Sequence, residues 1–315
     1  MSPAPSPQAR HFDRRLDRRL DATWRAGMFY ALLAYGVWGF SVMYWKLLPW
    51  VPHSLLIAQR VLWSVLLLLP LLLWLGQWPA LLRLLRQPRV LAMLGLSGAL
   101  ITANWLIFVW AIAQARVTEV SLAYFINPLL SLLLGVLLLR ERLRPLQWAA
   151  VLVVALGVGW MARGLGQWPW VSLFLATSFA LYGLLRKFTP VSATVGLAVE
   201  TLLMLPFALV YMAWCAWSLP EPMFWRHGWP GALAIAASGI VTALPLLWFA
   251  NAAQRLPLST LGLVQYLAPS IQLALAVLLY HEAFTRTHWV AFVLIWLGLA
   301  LYCADALRAT RQRVA

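Results

Sequence analysis

Charge is what this chain has least of, and negative charge above all. Of 315 residues, nine are Asp or Glu and 24 are Lys or Arg, so charged residues make up 10% against 63% hydrophobic. A soluble globular chain carries about 25% charged residues, and this composition excludes that class. Two cysteines, Cys215 and Cys303, are too few for a disulfide framework. The five histidines show no metal-ligand spacing, and HExxH, Walker A and dinucleotide fingerprints are all missing. Gly95 to Gly98 reads GLSG, but a serine nucleophile needs a base at its own depth, and no histidine lies mid-span. The sequence therefore predicts no cofactor, no metal and no catalytic centre.

What the chain does have is apolar runs of about 20 residues, the length an α-helix needs to cross roughly 30 Å of hydrocarbon. Spans are expected at 27 to 47, 55 to 75, 90 to 111, 117 to 139, 145 to 163, 168 to 186, 192 to 214, 230 to 251, 258 to 280 and 288 to 307. Residues 1 to 26 form a basic tail, with RHFDRRLDRRLD as a short helix or disordered arm at the lipid headgroups, and 308 to 315 form a second basic tail. The net charge of +15 would suggest nucleic acid in a soluble protein. Here, with ten spans and the N-terminus inside, 18 basic residues fall at inner ends and five at outer ends, leaving Arg60 within a span. That is the positive-inside pattern: membrane lipid rather than nucleic acid is the expected partner, and both termini are cytoplasmic.

A second signal is internal. Lys46 and Lys187, Pro49 and Pro190, Pro128 and Pro269, Glu141 and Glu282, Trp148 and Trp289, and Gly157 and Gly298 are each 141 residues apart. The chain thus reads as two copies of one unit, 27–163 and 168–307. Five spans per copy return the chain on the opposite side of the membrane, so the second copy must be inverted. The expected fold is an all-α membrane protein of ten transmembrane helices in two inverted five-helix repeats, an architecture recurrent among secondary transporters.

Polar residues inside the spans mark the candidate sites. Ser121, Tyr124, Pro128 and Ser131 share one helix face, as do Gly262, Gln265, Pro269 and Gln272. Pro128 and Pro269 should kink their helices and leave the carbonyls of Tyr124 and Gln265 without their usual donors. These faces either line a central cavity or pack the bundle. Asn104 and Trp105 in the third span, with Asn127 and Tyr266 beside the prolines, can fix and stack a small organic ligand or serve as interhelical bonds. Arg60 cannot discharge its proton, so it must snorkel, pair or meet a ligand. Glu200, whose repeat position is Gln59, can exist ionised or neutral and is the candidate coupling group. A permanently protonated carboxyl or a structural ion pair is its plain alternative.

The runs YGVWGFSVMYWKLL, Gln59 to Ser64, Asn104 to Ala111, Leu122 to Leu129, Ala180 to Lys187, Glu200-Thr201 and Leu258 to Gly262, with Gln265-Tyr266 and Pro269, resemble RarD-type proteins of the EamA group in the drug/metabolite transporter superfamily. The resemblance covers about 27 to 307. It implies a ten-span carrier of the bacterial inner membrane with a central cavity, moving a small-molecule solute. Where the family pattern has glycine before the glutamates that follow helices four and nine, this chain has Arg140 and His281. The expected function is a secondary transporter, exporting or exchanging a small organic metabolite or drug by alternating access, with proton coupling at Glu200 and anionic substrate groups at Arg60. A non-transporting membrane receptor or assembly subunit is the alternative.

Overall fold

The computed structural model describes residues 7–114, 116–163, 168–218, 223–281 and 286–314. Its elements are α1 (Pro7–Trp45), α2 (His53–Trp74), α3 (Trp78–Leu84), α4 (Pro88–Ala113), α5 (Val117–Leu139) and α6 (Pro145–Arg163) in the first half. The second half has α7 (Trp170–Phe188), α8 (Ala193–Ser218), α9 (Gly228–Arg255), α10 (Leu258–Val264), α11 (Leu267–Leu278) and α12 (Arg286–Val314). Among the described residues nine stretches are long and apolar enough to cross a membrane, α10 and α11 together counting as one, and Trp289–Asp305 is a shorter apolar tenth. Lipid-facing side chains explain the exposed Trp74, Leu137, Val210 and Trp217. In a bilayer these surfaces have no water to avoid.

The first span is Ala22–Trp45, a few residues from the expected 27 to 47, and α1 extends it unbroken back to Pro7 through the charged arm. Two expectations about helices need correcting. The connection between spans two and three contains a helix of its own, α3, with a proline in its first turn where the missing N–H costs nothing. The ninth span is two helices, parted at Gln265 and Tyr266. There the carbonyl freed by Pro269 is not left open, because Ala268 N–H reaches back to Gln265 O at 3.1 Å in a tightened turn. Pro128, by contrast, lies inside a continuous α5.

The halves do not fold side by side. The extensive helix interfaces join one half to the other: α1 with α9, α2 with α8 and α9, α4 with α7 and α8, α5 with α7 and α10, and α6 with α12. These pairings are reciprocal in the 141-residue register, since α1 packing on α9 is matched by α7 packing on α4. The reciprocity extends to atoms. Gly157 lies against the carbonyl of Ala291 and the side chain of Ile295, while Gly298 lies against the carbonyl of Ala150 and the side chain of Val154. A Cβ on Gly157 would fall 3.0 Å from that carbonyl oxygen, and one on Gly298 2.8 Å from its own. Glycine is required at both positions by the same close crossing. Reciprocal contact of equivalent residues is the mark of a two-fold relation, here within one chain. Tyr266 makes the same point, donating its hydroxyl to the carbonyl of Phe125, its own repeat position, at 2.8 Å.

The turn between α9 and α10 is held by opposite charges at opposite helix ends. Lys187 Nζ donates to the last carbonyls of α9, Ala253 O at 3.3 Å and Leu256 O at 2.5 Å. The Glu141 carboxylate accepts from Leu258 N at 2.6 Å and Ser259 N at 2.9 Å, the first amides of α10. A cation at a helix C-terminus and an anion at an N-terminus each oppose the local dipole. Lys187 is thus a cap. The repeat partner of Glu141, Glu282, lies outside the described residues.

Arg140 and His281, which stand where glycine is usual, both adopt left-handed backbone, with φ of 55° and 52°. The turns keep the shape glycine would give and carry the steric cost of a Cβ, about 1 kcal/mol each.

Candidate solute-binding site

Arg60 projects from the second turn of α2 toward three other helices. Its guanidinium carbon lies 4.3 Å from the Trp105 ring centre on α4 and 4.8 Å from that of Trp45 at the end of α1. Its Nε donates to Thr242 Oγ1 on α9 at 2.7 Å. The hydroxyls of Tyr44 and Tyr124 stand within electrostatic reach. The two indole faces attract the cation through their quadrupoles and hold it in one orientation. What they leave is the outer edge of the guanidinium: among the described residues nothing hydrogen-bonds its Nη1 or Nη2 and no carboxylate approaches it. The residue is half-buried, and that edge is left without a protein partner among the described residues. Five donors in a planar fork, one of them anchored, form a receptor for a carboxylate-like group.

Every described acid whose side chain is placed is engaged elsewhere. Glu119 pairs with Arg116 at 2.6 Å, Asp305 with Arg144 at 2.9 Å and Glu200 with Arg186 at 3.2 Å, while Glu141 caps α10. Glu119 is buried, and its carbonyl accepts from Ser172 at 2.6 Å.

The other sequence candidates divide. Trp105 and Tyr124 join the Arg60 site. Asn127 is buried and receives only Ser131 Oγ at 3.3 Å, with its amide nitrogen unbonded, and the buried side chain of Gln265 has no hydrogen bond among the described residues. Both retain capacity for a ligand or water. Asn104 spends its amide on α7, donating to Leu175 O at 2.8 Å and Ser178 Oγ at 2.9 Å, and fully buried Tyr266 is committed to Phe125. Gln272 likewise donates to Trp38 O on α1 at 3.2 Å, and Gly262 packs on the Pro128 carbonyl and Ser131. On these faces Gln272 and Gly262 thus join helix to helix. Pro128 lies within continuous α5, and Pro269 follows the break between α10 and α11.

Glu200 is buried at the crossing of α4, α7 and α8. Its Oε1 accepts from Ser97 Oγ and from Arg186 Nη1, and Tyr182 OH reaches Oε2 at 3.4 Å. Arg186 also donates to Ala193 O at 3.1 Å, whereas its Nε has no partner. Gly196 makes room for it: a Cβ there would collide with Nη1. Sequence alone did not single out Arg186, because a last-turn arginine looks like an anchor. A signal was present in the register, where Arg186 and Glu200 align with Trp45 and Gln59, so both partners of the pair differ together. Tyr44, Trp45 and Thr242 were missed for a simpler reason. Only the fold brings those helices to Arg60.

Interleaved spans, two-fold reciprocity and a buried polar interior define a multi-pass, internally duplicated membrane protein of the transporter type. The model of the EamA-like transporter family matches residues 25–163 and 168–303, once per half. An uncharacterized transporter of Pseudomonas aeruginosa is 46% identical over 92% of this chain and 97% of its own length. The protein RarD of Streptomyces exfoliatus is 43% identical over 91% of each chain. The chain belongs to the EamA-like transporter family. A crystal structure with TM-score 0.67 and 24% identity, spanning 92% of this chain and 99% of its own, has the same fold.

Proposed function

We propose that the chain is a secondary transporter that carries a small organic solute across the bacterial inner membrane by alternating access, with the solute held at Arg60. The observation that carries this reading is a guanidinium fixed inside the spans by two indoles and a threonine, with its hydrogen-bonding edge left open. A purely structural arginine in this setting would be expected to be paired, as Arg186 is. The reciprocal packing of the halves supports alternating access, because two-fold-related units can exchange conformations about one shared site. Glu200 is the proposed proton-coupling group. Protonation would remove the negative partner of Arg186 and loosen the crossing of α4, α7 and α8.

The test is accessibility. In a chain with Cys215 and Cys303 replaced, Tyr124→Cys and Gln265→Cys should react with an impermeant thiol reagent from one face. Reactivity should shift toward the other face when a pH gradient is imposed. Reaction from a single face under every condition would exclude alternating access and favour a receptor. Glu200→Gln should abolish the gradient's effect; an unchanged response would remove the coupling role.

A further inference from the structure

We propose that the Arg60 site selects solutes bearing one net negative charge, small monocarboxylates, and rejects zwitterionic amino acids built on the same carbon skeleton. This rests on the transport reading for its context and on a separate observation for its content. A carboxylate can use the open edge of the Arg60 guanidinium, with Tyr124 OH as a further donor, since that hydroxyl has no hydrogen bond among the described residues. An α-ammonium group attached to the same carbon atom would have to sit within a few ångströms of the guanidinium. An acid beside the guanidinium would offset that repulsion, and none stands there among the described residues. Glu119, Glu141, Glu200 and Asp305 are each bound to another cation or to a helix end. Thr242, Trp45 and Trp105 surround Arg60 without adding charge.

Charge matching also sets the upper limit. One cation in a low-dielectric interior neutralises one anion, and a phosphate or dicarboxylate would bring a second, unmatched charge. Like-charge juxtaposition in a desolvated site costs several kcal/mol. That is a discrimination of about 30-fold or more between a carboxylate and its α-amino counterpart.

The experiment uses full-length protein in detergent and two matched series, one aromatic and one aliphatic. These are 3-phenylpropanoate, phenylalanine and phenethylamine, and butanoate, 2-aminobutanoate and propylamine, with sodium chloride as the inorganic control. Calorimetric titration and melting temperature are read for each. The expected result is binding and stabilisation by at least one carboxylate, at least tenfold weaker binding of its amino acid partner, and loss of the preference in Arg60→Gln. Thr242→Val should weaken carboxylate binding while keeping the charge, which guards against misfolding of the Arg60 variant. Equal or tighter binding of the amino acids would overturn the proposal, as would chloride matching the carboxylates or no Arg60-dependent response to any probe. Proteoliposome flux separates the two readings: amino acid flux dependent on Arg60 keeps transport and sinks the charge rule. Carboxylate binding without flux does the reverse.

Discussion

The same scaffold is built twice in this molecule, and the two copies treat charge in opposite ways. At the crossing of α4, α7 and α8, Arg186 and Glu200 form an ion pair that is 0% and 2% exposed, with Ser97 and Tyr182 on the carboxylate. In the 141-residue register the corresponding residues of the first half are Trp45 and Gln59. There the amide oxygen of Gln59 accepts from the Trp63 ring nitrogen at 3.0 Å, and no charge is present at either position. The first-half cation appears one residue later, at Arg60, whose own counterpart is Thr201, bonded to carbonyls of its own helix. Arg60 then stacks on Trp45, the counterpart of the arginine that is paired in the second half. One copy has closed its charges against each other, and the other has exposed a single charge to the interior. In the proposed reading, symmetry in the backbone would allow exchange between two conformations. Asymmetry in the side chains would provide the site.

The largest test of that comparison is to break the closed copy. Glu200→Gln leaves a buried guanidinium without its counter-charge and should cost about 3 kcal/mol or more. Adding Arg186→Met should restore most of the loss, since an apolar side chain tolerates the site that a lone cation does not. Unfolding of both variants in the same detergent checks this. Equal stability of single and double variants would mean that the pair contributes little. Arg60→Gln, by contrast, removes the bond to Thr242 and two indole contacts but orphans no charge, and should cost about 1 to 2 kcal/mol, less than Glu200→Gln. Its larger loss should appear in solute binding.

A smaller test compares two glycines. Gly196→Ala drives a methyl group into Arg186 Nη1, so the guanidinium must leave the position where it meets Glu200 and Ala193. A cost of about 2 kcal/mol is expected, within the range for disrupting a buried hydrogen-bonded charge. A Cβ at Gly36, on α1, would meet nothing within 4 Å, and Gly36→Ala should be neutral or stabilising by up to about 1 kcal/mol through helix propensity. If both substitutions proved neutral, the close seat of Arg186 over Gly196 would be wrong.

The contrast also explains what could be read from the chain beforehand. Span lengths follow from hydrophobic runs, and α5 and α6 occupy the expected 117–139 and 145–163. The duplication is visible because proline, tryptophan, glycine and charged residues recur in register where leucines carry no information. Arg60 and Glu200 stand out because charge inside a span demands a reason. What sequence cannot supply is which helices meet. Thr242 lies 182 residues from Arg60 and Ser97 lies 103 from Glu200, and neither spacing has a local signature. The break at Gln265 and Tyr266 escaped for a related reason. A proline announces a lost hydrogen bond but not whether the helix continues through it, as in α5, or tightens into a turn, as between α10 and α11.

The smallest expected effect lies in the positions where the two copies agree against the family's usual residue. Arg140 and His281 both hold left-handed backbone at the ends of the two repeat-related helices. In the first copy the geometry is purposeful. With Arg140 turned, Glu141 N–H returns to Gly135 O at 3.0 Å, and the Glu141 carboxylate passes over Gly135 to reach α10. A Cβ on Gly135 would stand 2.7 Å from Glu141 Oε2, so the approach depends on the glycine as well as on the turn. Arg140→Gly should therefore raise stability by about 1 kcal/mol, since it removes the left-handed penalty and preserves the cap. Gly135→Ala should lower stability by displacing the carboxylate from Leu258 and Ser259, a loss of about 1 to 2 kcal/mol for charge-assisted bonds to backbone amides. If Arg140→Gly lowers stability instead, the arginine side chain contributes more through the membrane surface than its backbone costs. The positive-inside role of residues 140 to 144 would then outweigh the turn.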